Sequence, residues 1–166
     1  MPLIAGPQLL RLPDVTDLHA DLVAGEIRVS EGPSFVDVSR VAGPPIAVEH
    51  AGGVLKIAQR KRMFRCTVVV HVGVAPGAKV AIRTVSAHVV VRLDGTLDVE
   101  TVSGDLEVAM NAGVIRFGSV SGAANAVLGK DCRFDGRTVS GDLAITGCTP
   151  ELVSVATTSG RVRVSA

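Results

Sequence analysis

Apolar residues recur two apart along most of the chain. Ile27 pairs with Val29, Val36 with Val38, Ile46 with Val48, Leu55 with Ile57, Leu97 with Val99, Leu106 with Val108, Ile115 with Phe117, Leu143 with Ile145 and Val162 with Val164. A period of two belongs to a strand with one buried face, and no segment sustains the 3.6-residue period of an amphipathic helix. The pattern predicts an all-β chain with almost no α-helix. Pro2, Pro7 and Pro13 interrupt the first fifteen residues, and Gly32-Pro33 and Gly43-Pro44-Pro45 punctuate later strands.

Between the strands of the second half one short phrase returns five times. It reads Thr84-Val85-Ser86-Ala87-His88, Thr101-Val102-Ser103-Gly104-Asp105-Leu106, Ser119-Val120-Ser121-Gly122-Ala123, Thr138-Val139-Ser140-Gly141-Asp142-Leu143 and Thr157-Thr158-Ser159-Gly160-Arg161-Val162. From Ser86 to Ser103, Ser121, Ser140 and Ser159 the steps are 17, 18, 19 and 19 residues. A fixed period of this length marks a stacked repeat. Coils of ~18 residues, each with short strands and corners, fit a single-stranded β-solenoid, or β-helix-like fold, with successive coils ~4.8 Å apart.

Each phrase is a predicted corner. Gly104, Gly122, Gly141 and Gly160 follow the central Ser, where glycine can take a positive φ, and Asp105 and Asp142 can close Asx-type turns on nearby amides. Thr101 and Ser103 share the parity of Leu97 and Val99, so both hydroxyls are expected to point inward and satisfy corner backbone. The competing reading makes the stacked Ser, Thr and Asp side chains a ligand-binding strip along one edge. Corner geometry accounts for every copy, and Ala87, Ala123 and Arg161 vary without a chemical theme.

The T-V-S-G-D phrase, together with Val74-Ala75-Pro76-Gly77 and Gly52-Gly53-Val54-Leu55-Lys56-Ile57, resembles the bacterial "putative-adhesin" family, also called the Toastrack domain, over residues 23–166. That resemblance implies an all-β solenoid-like fold, right-handed, and a non-catalytic module of the kind attached to membrane proteins of envelope-stress systems.

The expected organisation is one solenoid domain over 1–166, with a less regular or capping region at 1–83 and five regular repeats at 84–166. Val23-Ala24-Gly25-Glu26-Ile27 reads as a degenerate corner phrase within the less regular region. Solenoid ends expose strand edges and need caps. Val162 and Val164 fall in what reads as a last strand, which makes that end a candidate interface. At 166 residues, 47% hydrophobic and 20% charged, the chain can bury a core and is not disordered.

The net charge of +1 conceals segregation. Residues 1–49 carry −4, residues 50–93 carry +8 with no acid, and residues 94–166 carry −3. The basic island is densest at Lys56, Arg60, Lys61, Arg62 and Arg65, around Met63 and Phe64. Such a patch suits an anionic partner: acidic lipid headgroups, or acidic segments of a protein or of a second copy. Nucleic acid is disfavoured, because there are four Phe and no Trp or Tyr for base stacking and no helix-turn-helix pattern. A solvated loop with ordinary surface charge explains the run equally well.

No cofactor, metal site, small-molecule substrate or catalytic residue is indicated. His19, His50, His71 and His88 are dispersed without HxxxH, HExxH or CxxC spacing, and His71 has the parity of a solvent-facing position. Gly118-Ser119-Val120-Ser121-Gly122 lacks the central serine of a nucleophile elbow. Asp105 and Asp142 could align two coils apart, roughly 9–10 Å, near the separation of inverting glycosidases. Cys66, Cys132 and Cys148 are an odd set, with Cys132 and Cys148 one coil apart and suited to stacking in the core. With no signal-peptide pattern or ~20-residue apolar run, a cytoplasmic, membrane-peripheral chain is expected. The function expected is a non-catalytic binding or scaffold module. The alternatives are a self-assembling structural protein stacking end to end, as in bactofilins, and a carbohydrate-active β-helix enzyme.

Overall fold

The computed structural model describes residues 3–42, 46–59 and 67–165. The chain opens with β1 (Leu3–Ile4), β2 (Gln8–Arg11), β3 (Asp17–Leu22), β4 (Gly25–Glu31), β5 (Phe35–Ala42), β6 (Ile46–Ala51), β7 (Val54–Gln59) and β8 (Thr67–Val74). The repeats supply β9 (Lys79–Thr84), β10 (His88–Arg92), β11 (Gly95–Thr101), β12 (Leu106–Met110), β13 (Gly113–Ser119) and β14 (Ala124–Leu128). β15 (Arg133–Thr138), β16 (Leu143–Thr146), β17 (Val153–Thr157) and β18 (Val162–Ser165) follow, with one 3-10 turn at Pro150–Leu152.

The strands form two nine-stranded sheets facing each other across the core. The first runs β1-β6-β7-β3-β9-β11-β13-β15-β17 and the second β2-β5-β8-β4-β10-β12-β14-β16-β18. From β8 onward the chain alternates between them, so each step of the stack is a layer of one strand from each sheet, whereas β4–β5 and β6–β7 are consecutive strands within one sheet. From β7/β8 to β17/β18 the seven layers pair in parallel, whereas β5, β6, β1 and β2 pair antiparallel and close the N-terminal end.

The layers do not follow chain order: β3/β4 lies between β7/β8 and β9/β10. In that position Leu22 pairs with Thr84 and Glu26 with His88, which puts Val23-Ala24-Gly25 in register with Val85-Ser86-Ala87. The degenerate phrase is thus a corner of the same stack. The N-terminal half of the chain both continues the stack and caps it.

Inward residues are almost fully buried, as the period of two requires: Leu97 and Ile115 at 0%, Leu106 and Leu143 at 1%. Each such side chain contributes about 1.5–3 kcal/mol. Register matches large to small where rings occur: Phe117 lies beside Gly136, and the space a Gly136 side chain would need is filled by the Phe134 ring.

The corners differ from expectation in three ways. Gly104, Gly122, Gly141 and Gly160 are absent from the positive-φ glycines. They are required by close stacking instead: a Cβ at Gly122, Gly141 or Gly160 would overlap the carbonyl oxygen of Gly104, Gly122 or Gly141 in the layer below. Asp105 and Asp142 do not close local turns. Their Oδ1 atoms accept the Ala123 and Arg161 amides of the next layer, both at 2.9 Å. Thr101 points inward, but Ser103 is exposed, because the chain bends between them and parity restarts at Leu106.

Inside the four glycine corners a hydroxyl accepts the glycine amide three residues on, at 2.7 Å from Gly104 to Thr101, 2.6 Å from Gly122 to Ser119, and 2.9 Å at Thr138 and Thr157. Between corners the Ser103, Ser121, Ser140 and Ser159 amides each donate at 2.9 Å to a valine carbonyl of the layer below. Ser86 does the same to Val23 at 2.9 Å. Beneath the Val23 corner, Gln59 of β7, 4% exposed, accepts Val23 N through its Oε1 at 2.8 Å.

At the opposite turns Cys132 and Cys148 are free, buried thiols, the Cys148 Sγ donating to the Cys132 carbonyl at 2.7 Å and the Cys132 Sγ to that of Met110 at 3.3 Å. Burial pushes both thiols above the ordinary value. Cys66 lies outside the described residues.

Two outcomes follow. Gly141→Ala loses about 2 kcal/mol or more through overpacking, while Gly118→Ala, whose new Cβ has only Glu100 Cγ at 3.9 Å, loses nothing; urea denaturation of the two variants distinguishes stacking from a general intolerance of alanine. In a Cys66→Ser background, Cys132 and Cys148 resist alkylation until denaturant is added, read by mass spectrometry of the labelled peptides. Because the folded thiols titrate above the unfolded ones, the stability they contribute is complete below the unfolded value, about 8.5, and is lost as pH rises through the folded values.

Candidate functional site

The solvent-facing side chains stand on the outer faces of the two sheets, which differ in chemistry. On the first, charges alternate layer by layer. Glu49 of β6 pairs with Lys56 of β7, Asp17 and Asp21 of β3 pair with Lys79 and Arg83 of β9, and Asp98 and Glu100 of β11 stand between β9 and Arg116 of β13. Arg83 Nε lies 3.6 Å from Glu100 Oε2. Both groups are exposed, so each such pair is worth less than about 1 kcal/mol.

The interleaved β3 therefore divides the basic island. Without it, Lys56 would neighbour Lys79 and Arg83. Of the predicted anion-binding residues, Lys56 faces out from the first sheet beside Glu49 and His19. Arg60, Lys61, Arg62 and Arg65 lie outside the described residues.

The outer face of the second sheet is sparsely charged from β10 to β18. Val90, Ala109, Asn125, Val127, Ala144 and Thr146 carpet it, with Val127 58% exposed. Two shallow depressions of about 420 and 270 Å³ run across these strands and share Glu107 and Asn125. The larger has Ala123, Asn125 and Ala144 at its centre, with His88, Asp105 and Glu107 toward one end and Arg161 and Arg163 toward the other. His88 Nε2 is 3.8 Å from Glu107 Oε2.

Along the corner edge, Val85, Val102, Val120 and Val139 form an exposed ladder, 40–50% accessible, beside Ser86, Ser103, Ser121, Ser140 and Ser159. Those serine hydroxyls turn back to carbonyls of the layer below at 3.4–3.5 Å. With the Asp105 and Asp142 carboxylates holding amides, the strip's polar atoms are engaged in joining layers.

The fold also makes one contact between residues 41 apart in sequence: Ser30 Oγ lies 2.9 Å from His71 Nε2. His71 faces outward as its parity predicts, yet it is half-buried, with Phe35 edge-on at 5.0 Å and Asp37 opposite on β5. A Ser–His contact is the first element of an activated nucleophile. The amides around it belong to the β4, β8 and β5 ladders, so they are not free to form an oxyanion hole. The contact's sequence signal, a Ser and a His on outward positions of distant strands, exists only once β4 is known to lie beside β8. Among the described residues no three His, Cys, Asp or Glu side chains gather as a metal-binding group, and no helix is long and apolar enough to cross a membrane.

No family model matches the sequence, and no curated protein is similar to it. Solved structures do resemble it in fold. A protein described as a putative cell adhesion protein from Clostridium sporogenes superposes with a TM-score of 0.61 at 10% identity, covering 96% of this chain and 98% of that one. Proteins described as putative adhesins from Parabacteroides distasonis and Bacteroides fragilis match at TM-scores of 0.39 and 0.31, with 14% and 12% identity, over 96% and 99% of this chain and 95% and 96% of theirs. The first establishes the shared fold. That fold is all-β with almost no helix, as the resemblance carried by the T-V-S-G-D phrase implied.

The alternating charges make a prediction of their own. Lys79→Glu with Arg83→Glu destabilises the protein by about 1–3 kcal/mol by turning cross-strand attraction into repulsion. Adding Asp17→Lys and Asp21→Lys restores at least half of the loss in urea titrations. Failure of that rescue would mean the pairs do not favour β3 at this position.

Proposed function

We propose that this chain is a non-catalytic binding module that engages a protein partner through the outer face of its second sheet. The observation that carries the reading is the contrast between the faces. The first sheet pairs its charges internally, whereas β10–β18 present Val127, Val90 and small side chains beside two depressions whose charged groups, Asp105, Glu107 and Asp142 with Arg92, Arg161 and Arg163, stand among them. Sparsely charged, partly apolar surface is what interface cores require. An envelope-stress setting rests on the family resemblance alone, and the right-handed single-stranded solenoid is inferred from that resemblance together with the parallel register of the layers.

Photocrosslinking tests the face. With a benzophenone amino acid at Val127, irradiation of cells that make the protein yields a discrete covalent adduct, and the same group at Asp98 yields none. An adduct from Asp98 alone would transfer the site to the first sheet. Flotation with vesicles of anionic lipid, lost on charge reversal at Arg60, Lys61 and Arg62, would instead make the partner a membrane surface recognised by the basic run.

A further inference from the structure

The pair formed by Ser30 Oγ on β4 and His71 Nε2 on β8, 2.9 Å apart, takes no part in joining the corners of the stack. Register sets its surroundings. On the outer face of the second sheet Phe35, Gly73, Ser30 and Arg92 form one row across β5, β8, β4 and β10, and Asp37, His71, Arg28 and Val90 form the row beside it. Ser30, half-buried, therefore has a different neighbour on each side. Toward β8 the chain has no side chain at Gly73, and the Phe35 ring fills that place: a Cβ on Gly73 would lie 2.6 Å from the ring's Cε1. Toward β10 stands Arg92, which is exposed. Arg28, the other cation nearby, is held by Glu26 at 2.8 Å.

We infer that Ser30 is a site of covalent acylation, with His71 as its general base and activated acyl donors (aryl esters, thioesters or acyl phosphates) as the class of reactant. The 2.9 Å separation is within the reach a base needs to take the hydroxyl proton. Phe35 packs edge-on to the imidazole at 5.0 Å and fixes the ring. Asp37, the register partner of His71 on β5, gives that ring a carboxylate neighbour, the third group that a nucleophile and its base require.

In the step, a bond forms between Ser30 Oγ and the acyl carbon as the bond from that carbon to the leaving oxygen or sulfur breaks. The hydroxyl proton passes to His71 Nε2 and from there to the departing phenolate, thiolate or phosphate. Arg92 is placed to meet negative charge on the acyl oxygen, and Phe35 supplies apolar surface for the acyl chain.

The same surroundings stop the reaction after one acyl group. The amides near Ser30 serve the β4, β8 and β5 ladders, so a single exposed guanidinium stands where an acyl hydrolase has preorganised amide donors. An activated donor brings a leaving group good enough to react under those conditions. The serine oxyester it leaves behind has a much poorer one, so the adduct persists. The chain is modified and does not turn over, which agrees with a non-catalytic module, and the site centres on β4 and β8, beside the proposed binding face.

Reaction with p-nitrophenyl butyrate tests the inference. The wild-type protein is expected to release about one equivalent of nitrophenolate in a burst and then stop, and peptide mass spectrometry to place the butyryl group on Ser30. The corner serines Ser103, Ser121 and Ser140, whose hydroxyls donate to carbonyls, stay unlabelled and serve as the internal reference. Ser30→Ala removes the burst. His71→Gln keeps a hydrogen-bonding partner for Ser30 but cannot take its proton, and slows the burst about 100-fold or more; Arg92→Gln slows it less. Urea midpoints confirm that each variant is folded, and the position of the wild-type adduct is decisive without any variant. No burst, labelling of lysines and corner serines in place of Ser30, or a His71→Gln rate equal to wild type would each overturn the inference. Sustained turnover would overturn the single acylation and the non-catalytic reading together.

Discussion

Everything in the repeated half depends on how closely the backbone of one corner approaches the next. Carbonyls of one layer lie where a side chain on the next would begin, so glycine is required by the neighbour below and not by its own φ. Once that approach is set, the rest of the phrase follows. A hydroxyl is needed inside the bend to take the glycine amide, a serine amide reaches the valine carbonyl beneath, and an aspartate ties its layer to the following one. Ala87 fits the rule, since it lies in register with Gly25, whose φ of 122° carries its backbone differently.

How much of this was legible depended on whether the determining contact was local. Strands and inward residues were readable because a period of two needs only one chain segment. The corners were located by their spacing, and the inward Thr101 by its parity. Their internal chemistry was misread where it involved the adjacent layer. The glycine constraint and the amides held by Asp105 and Asp142 arise from a neighbour 17–19 residues away, and the exposure of Ser103 comes from the bend that follows Thr101. The placement of β3/β4 was not legible at all. A chain-order stack satisfies the same apolar pattern, and only after β3 is placed do Asp17 and Asp21 stand out as partners of Lys79 and Arg83. The Ser30–His71 contact was hidden for the same reason.

The two faces divide the labour of the molecule. Alternating charge on the first sheet contributes little per pair, but it penalises any order that puts basic strands side by side. The second sheet carries no comparable pattern beyond β10, and its small side chains leave backbone relief close to the surface. Likeness to an adhesion protein in fold gives no residue of that face a role. The argument for binding comes from the surface itself.

The interleaving of β3/β4 also bears on how the chain reaches its native state. Layers β11/β12 to β17/β18 each rest on the segment synthesised just before them, so they can add one at a time. β3, by contrast, pairs with β7 and β9, both of which follow it in the chain. β3 can meet β7 once residue 59 is available, but its other edge must stay open until residue 84 completes β9, and each pairing closes a long loop, the kind of step that slows folding most. Growth of the regular half is therefore contingent on those closures at its base, and lengthening the stack by further repeats would extend the protein without adding to that barrier.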